Sequence, residues 1–301
     1  MKKENHLLNQ LQQGNRKSLA RCISFVENES EGYHDLLSSL DINRTIPLIG
    51  ITGPPGAGKS TLLNAIIKTL LNQNEELQIA VLAVDPTSPF TKGSLLGDRL
   101  RMTEHFNDER VYIRSLATRG ALGGLAAKTV EITDVLRAAK FDYIFVETVG
   151  VGQSEVEIAS LADTTIVVMV PEAGDDIQAL KAGIMEIADI FVVNKSDREG
   201  AERMMKNFHT MLHEKALSDW QIPVLRIVAS KSEGIEELIE KIKTHQQHKQ
   251  PSTRIAMMAE HAYRIIQNQR MQNLSIKKLS EALELEIEKE GFNVYEFVRR
   301  Y

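Results

Sequence analysis

The sequence predicts an α/β protein with a doubly wound, mainly parallel sheet flanked by helices. Three observations carry that expectation. Seven short apolar runs, IPLIGIT, IAVLAVD, RVYIRS, DYIFVET, TTIVVMV, DIFVVNK and PVLRIVA, lack in–out alternation, which is how strands covered on both faces read. Segments of helical periodicity lie between them, near 59–71, 97–106, 125–139, 155–162, 177–188, 200–217 and 235–244. The glycine-rich stretch GPPGAGKST joins the first run to the first of these helices. In such sheets, ligands bind beyond the carboxyl ends of the strands.

Ahead of the first strand, Leu7, Leu8 and Leu11, then Leu19, Ile23 and Val26, recur at helical spacing, so residues 1–44 are expected to form a small helical segment. Residues 45–248 hold the strand–helix alternation. The polar stretch HQQHKQPST, 245–253, breaks that pattern and reads as a linker, with His245 and His248 solvated in it. Residues 249–301 return to a helical pattern, with Ile255, Met258 and Ala262 followed by Ile265 and Ile266, then Leu279, Leu283 and Ile287. A helical arm of this kind has no core of its own and must pack on the domain or on another subunit.

Bulk composition narrows the function classes. With 301 residues, 43% apolar and 26% charged, the chain has an ordinary globular makeup. A net charge of −5 and a pI near 6.0 argue against nucleic acid as the main partner, because phosphate neutralisation needs clustered cations. The single cysteine, Cys22, rules out an intrachain disulfide and fits a reducing compartment. No run approaches the roughly 20 apolar residues of a spanning helix. The N-terminus also lacks the apolar stretch of a signal peptide, so no membrane association and a cytoplasmic location are expected.

Three motifs carry chemistry. Gly53-x-x-x-x-Gly58-Lys59-Ser60, between a strand and a helix, is a phosphate-binding loop. Gly53, Pro54, Pro55, Gly56, Ala57, Gly58, Lys59, Ser60 and Thr61 are its candidate nucleotide contacts. The glycines let backbone N–H groups converge on phosphate oxygens, Lys59 is placed to bridge the β- and γ-phosphates, and the Ser60 hydroxyl to ligate Mg²⁺. Asn194-Lys195-Ser196-Asp197 ends a buried strand. The Asp197 carboxylate can accept from both N1–H and the exocyclic amine of guanine, a donor pair adenine lacks. Asn194 would tie this loop to the phosphate loop, and the Lys195 stem would cover the base. Ala229-Ser230-Lys231 follows the next strand, placing Ser230 and Lys231 beside the base. Glu147 ends the strand DYIFVET and, with Asp85 and Asp98 from two other loops, is expected around the metal; Asp98 has the alternative reading of a helix N-terminal acid. Gly150 is placed to sense the γ-phosphate. Many GTPases carry a glutamine directly after that glycine, whereas here Val151 stands there and Gln153 lies two residues on. That arrangement predicts slow intrinsic hydrolysis, raised by a partner.

Taken together, GPPGAGKST, AVDPTSP, GDRLRM, ATRGALGGLA, FVETVGVGQSE and NKSD resemble the MeaB/ArgK-type P-loop GTPases, which include the methylmalonyl-CoA mutase-associated chaperones. The resemblance runs from about residue 10 to the C-terminus and is strongest in ETVGVGQSE. It implies a homodimeric GTPase of the dimerising SIMIBI class, with 249–301 as the dimerisation arm. It also implies a protein that gates adenosylcobalamin loading and protection of an acyl-CoA mutase. By the resemblance, Lys59 and Ser60 serve phosphate and metal, Asp85, Asp98 and Glu147 the metal sphere, and Asp197 the base; Lys59, Glu147, Gly150 and Gln153 are the candidate catalytic residues. The segment 171–183 resembles a further switch that meets the client, against the plain alternative of a strand-to-helix loop. Pro54 and Pro55 depart from dimerising relatives outside the family, which place a partner-reaching lysine in this loop. Older usage in the family implies an alternative, an accessory ATPase or kinase of lysine/arginine/ornithine transport, against which the guanine-type Asp197 argues.

Overall fold

The computed structural model describes residues 2–85, 102–117, 128–148, 154–172, 184–213 and 220–248, and most of 255–301. All seven apolar runs contribute strands: β1 Leu48–Thr52, β2 Ile79–Asp85, β3 Val111–Ala117, β4 Tyr143–Glu147, β5 Thr164–Met169, β6 Ile190–Val193 and β7 Val224–Arg226. They form one sheet in the order β3-β2-β4-β1-β5-β6-β7, every neighbouring pair parallel. β1 is central and β4 and β5 flank it, so the loop leaving β1 emerges beside the carboxyl ends of both.

Alternate residues of each strand feed opposite faces, and helices cover both. Ile49 and Ile51 of β1 pack with α4 (Lys59–Gln73) and α9 (Ile235–His248), through Leu62, Ile66, Leu238 and Ile242. Leu48 on the other face meets α1 (Lys2–Gln12), α2 (Arg16–Glu27), α3 (Tyr33–Ser38), α5 (Thr129–Arg137) and α6 (Ser154–Leu161), through Leu11, Ile23, Leu36, Ile132 and Ile158. Farther along, α8 (Ala201–His213) stacks Phe208 on Phe191 of β6, with ring centroids 4.8 Å apart. The short α7 (Ile184–Ile187) precedes β6.

The N-terminal segment is three helices packed on the sheet. Asn15 separates α1 from α2, its side chain accepting from the Ser18 amide at 3.0 Å as an N-cap. Among the described residues, ion pairs fasten this segment to the α/β body: Glu27 with Arg114 at 2.6 Å, Glu29 with Lys128 at 2.9 Å and Arg44 with Asp134 at 3.2 Å. Cys22 is fully buried there, and desolvation pushes its thiol up to about 11, which keeps it unreactive.

Two expectations are corrected. The stretch 245–248 is the last turn of α9, and His245 is buried instead of solvated. Its ring lies 2.9 Å from the Thr164 hydroxyl and 3.2 Å from Asp189, with Trp220 against it at 4.9 Å. These partners come from the amino ends of β5 and β6, so a polar histidine finds a satisfied site that local sequence does not display; His248 is exposed as expected. The described part of the 97–106 stretch forms a 3₁₀ turn, Thr103–His105, rather than an α-helix.

Residues 250–301 form a second compact unit. It contains α10 (Ile276–Glu284), capped by Ser275, and α11 (Val294–Val298), capped by Asn293. Among the described residues, every exposed large apolar side chain other than Phe106 lies in this unit, including Ile276 at 85% and Tyr295 at 78%. No described helix is long and apolar enough to cross a membrane.

Gly50, in the middle of β1, sets how closely α6 approaches. A Cβ there would meet Ile158 Cγ1 at 2.5 Å and Ala162 Cβ at 2.9 Å. Gly50→Ala is therefore expected to destabilise the protein by about 1–3 kcal/mol in urea denaturation, the range for overpacking a core. A loss below about 0.5 kcal/mol would show that α6 gives way freely.

Candidate nucleotide-binding site

The loop between Thr52 and Lys59 is shaped by backbone that other residues resist. Gly53 has φ 138° and a Cβ would stand 2.1 Å from the Val168 carbonyl oxygen; Gly58 has φ 86° and a Cβ would stand 2.5 Å from the Asn194 amide nitrogen. Helix α4 starts at Lys59, so its first N–H groups and positive dipole end face the loop. Lys59 is 7% exposed, and its ammonium donates to the carbonyls of Gly53 at 2.8 Å and Pro54 at 3.1 Å. Pro54 thus contributes an acceptor, and Pro55 is exposed.

At the start of the helix, the buried Ser60 hydroxyl donates to Glu147 Oε1 at 2.6 Å. β1 and β4 are paired in register, Ile51 opposite Glu147, which delivers this carboxylate to the far end of the phosphate loop. A hydroxyl and a carboxylate are hard oxygen donors of the kind Mg²⁺ takes, so these two residues fit such an ion. Thr148 follows, its amide donating to Ile51 O at 3.0 Å and its hydroxyl to the Thr52 hydroxyl at 2.9 Å.

The carboxyl end of β6 supplies the second loop. The Asn194 amide nitrogen donates to Ala57 O at 2.9 Å while its oxygen accepts from the Ala229 amide at 3.1 Å. One buried carboxamide thereby joins the phosphate loop, the β6 loop and the 3₁₀ turn Ala229–Lys231. Lys195 adopts φ 54° and its ammonium donates to Gly56 O at 2.8 Å, so its stem runs from one loop to the other. Asp197 is exposed, with Lys231 Nζ 3.1 Å from its Oδ2; that hydrogen bond lowers the Asp197 carboxyl and keeps it anionic. Arg198 pairs with Glu172, just after β5.

The structure therefore gathers Gly53 through Thr61, Glu147, Asn194, Lys195, Asp197, Ser230 and Lys231 along one edge of the sheet, with Ser230 and Thr61 exposed. Asp85 ends β2, two residues beyond Ala83, the register partner of Glu147; its side chain lies outside the described residues. Asp98, Gly150, Val151 and Gln153 lie outside them as well, as does 173–183 of the segment 171–183. Sequence reasoning does not pick out Thr52 and Thr148. The one available signal is a hydroxyl at the end of two otherwise apolar strands.

A phosphate loop with a guanine-type base loop is common to several GTPase lineages, so the family comparison decides among them. Residues 19–284 match the model described as "Methylmalonyl Co-A mutase-associated GTPase MeaB". The chain belongs to this family. It is accordingly a GTPase that takes guanine nucleotides. A protein of Pyrococcus abyssi named as a GTPase is 48% identical over 254 residues, spanning 83% of this chain and 78% of its own. GTPase ArgK of Escherichia coli is 38% identical, spanning 77% of this chain and 72% of its own. The mouse "Methylmalonic aciduria type A homolog, mitochondrial" is 36% identical, spanning 78% and 61%. The crystal structure of a protein named as a LAO/AO transport system kinase superposes with TM-score 0.67 at 26% identity, covering 99% of this chain and 95% of the other.

Two substitutions test the assignments in this MeaB-family GTPase. Asp197→Asn should weaken GTP and strengthen xanthosine triphosphate binding, because the new amide donates to a 2-oxo group; unchanged GTP affinity in a titration contradicts base reading by Asp197. Lys59→Ala should cost at least about tenfold in affinity for a non-hydrolysable GTP analogue, and a smaller loss would place the ammonium elsewhere.

Proposed function

We propose that this GTPase gates cofactor loading and protection of an adenosylcobalamin-dependent acyl-CoA mutase of the methylmalonyl-CoA type, as a homodimer. The observation that carries the reading is the match to a mutase-associated GTPase family along nearly the whole α/β body and into the C-terminal unit. The name of the mouse relative, which refers to methylmalonic aciduria, points the same way. The apolar side chains exposed in 255–301 supply a surface whose burial against a second copy would be favourable. The transport-kinase reading rests on older usage in the family and on the name given to a structural neighbour, and a carboxylate at Asp197 is chemistry for guanine.

In the proposed cycle, Lys59 leaves the carbonyls of Gly53 and Pro54 for the phosphate oxygens. Asp197 accepts from the base, and Lys195 spans the base from loop to loop. Ser60 and Glu147, together with Asp85 and Asp98, would hold Mg²⁺, which would supply charge neutralisation for the phosphates. Gly150 senses the γ-phosphate and Gln153 orients water, while Val151 leaves intrinsic hydrolysis slow until the client engages. The segment 171–183 meets that client, and the work is done in the cytoplasm.

The test is a pull-down and hydrolysis assay with methylmalonyl-CoA mutase and isobutyryl-CoA mutase. Binding with GTP hydrolysis accelerated at least about tenfold by one of them is expected. Absence of binding and of any rate change with both contradicts the chaperone role while leaving the GTPase assignment intact.

A further inference from the structure

Two hydroxyls are buried at the carboxyl edge of the sheet where packing asks for none. Thr52 ends β1 with no exposed surface and Thr148 follows β4 at 1%, and the Thr148 hydroxyl donates to that of Thr52 across 2.9 Å. Valine fills the same volume without a polar group to satisfy, so volume and burial alone favour valine at both positions. What the hydroxyl pair adds is direction. Its position gives that direction a use: Thr52 is the last residue before Gly53, and Thr148 is the residue after Glu147.

Glu147 and Thr148 are consecutive and reach opposite ends of the phosphate loop. Glu147 accepts from Ser60, after the loop, and Thr148 donates to Thr52, before it. The Thr148 amide adds a third tie to Ile51 O at 3.0 Å, extending the β1–β4 ladder one residue beyond Glu147. We propose that Thr148 is a positioning residue for GTP hydrolysis, its hydroxyl fixing the exit of β4 to the entry of the phosphate loop. The Glu147 carboxylate then starts from one set point relative to the phosphate loop. GDP, which has no γ-phosphate, depends little on that set point; hydrolysis depends on it directly.

The inference rests on the GTPase activity of the family, which wild-type protein reports separately in the same assay. Single-turnover GTP hydrolysis, GDP affinity and thermal midpoint are measured on the full chain. Thr148→Val should lower the hydrolysis rate about tenfold with GDP affinity within about twofold of wild type, and Thr148→Ser should restore most of the rate. The double variant Thr52→Val/Thr148→Val removes both polar groups and should match wild type in thermal midpoint, since deleting both partners of a buried pair is nearly neutral. Its hydrolysis should stay as slow as in the single variant. An unchanged rate in Thr148→Val overturns the proposal. So does a loss of rate, GDP affinity and stability in step, which would mark a merely structural contact, or a failure of serine to rescue.

Discussion

The site depends on the carboxamide of Asn194. It is 2% exposed, and its two hydrogen bonds run to different loops: the phosphate loop through Ala57 O and the turn after β7 through the Ala229 amide. An amide buried this deeply is costly to leave unsatisfied, so each loop is held by the penalty of losing it as well as by the bond itself. The consequence is geometric. The residues proposed to meet phosphate and those proposed to meet the base become one body, although Ala57 and Asn194 are 137 positions apart in the chain. Gly58 belongs to the same arrangement, because any side chain there would occupy the space of the Asn194 amide.

That tie works because what it joins is itself rigid. β1, β4, β5 and β6 carry side chains buried on both faces, with α4 and α9 on one side and the N-terminal helices, α5, α6 and α8 on the other. Parallel strands end together at one edge, and the chemistry sits on the few residues past those ends: Gly53 to Ser60 after β1, Glu147 and Thr148 at β4, Asn194 to Asp197 after β6. The two sides of the loop are gripped separately, by Ser60–Glu147 and by Thr52–Thr148.

What was legible in the sequence follows from this physics. β1, β5 and β6 are buried throughout and appear as unbroken apolar runs, whereas the edge strands β3 and β7 keep partly exposed positions and were visible as mixed runs in the same strand–helix alternation. The phosphate and base loops were visible because their residue types are demanded locally, by positive φ at Gly53 and Gly58 and by a carboxylate at Asp197. Features set by contacts between distant strands were not visible. The last turn of α9 looked like a linker because His245 is satisfied by Thr164 and Asp189, both far away in the chain. The need for glycine at position 50 comes from Ile158, and the use of Thr148 from Thr52. Local pattern reports periodicity and turn chemistry; it does not report which polar groups meet across a sheet.

Asn194 joins the phosphate loop to the proposed base loop, so the account predicts that base and phosphate recognition form a single site. The direct measurement is calorimetric binding of GDP and of pyrophosphate to wild type and to Asn194→Ala, with folding checked by circular dichroism. Pyrophosphate has no base for the base loop to read, so a single site predicts that the substitution weakens it as well as GDP, each by about tenfold or more. Wild-type pyrophosphate affinity in a folded variant that has lost GDP affinity would mean that the loops are held independently, and would contradict the single site.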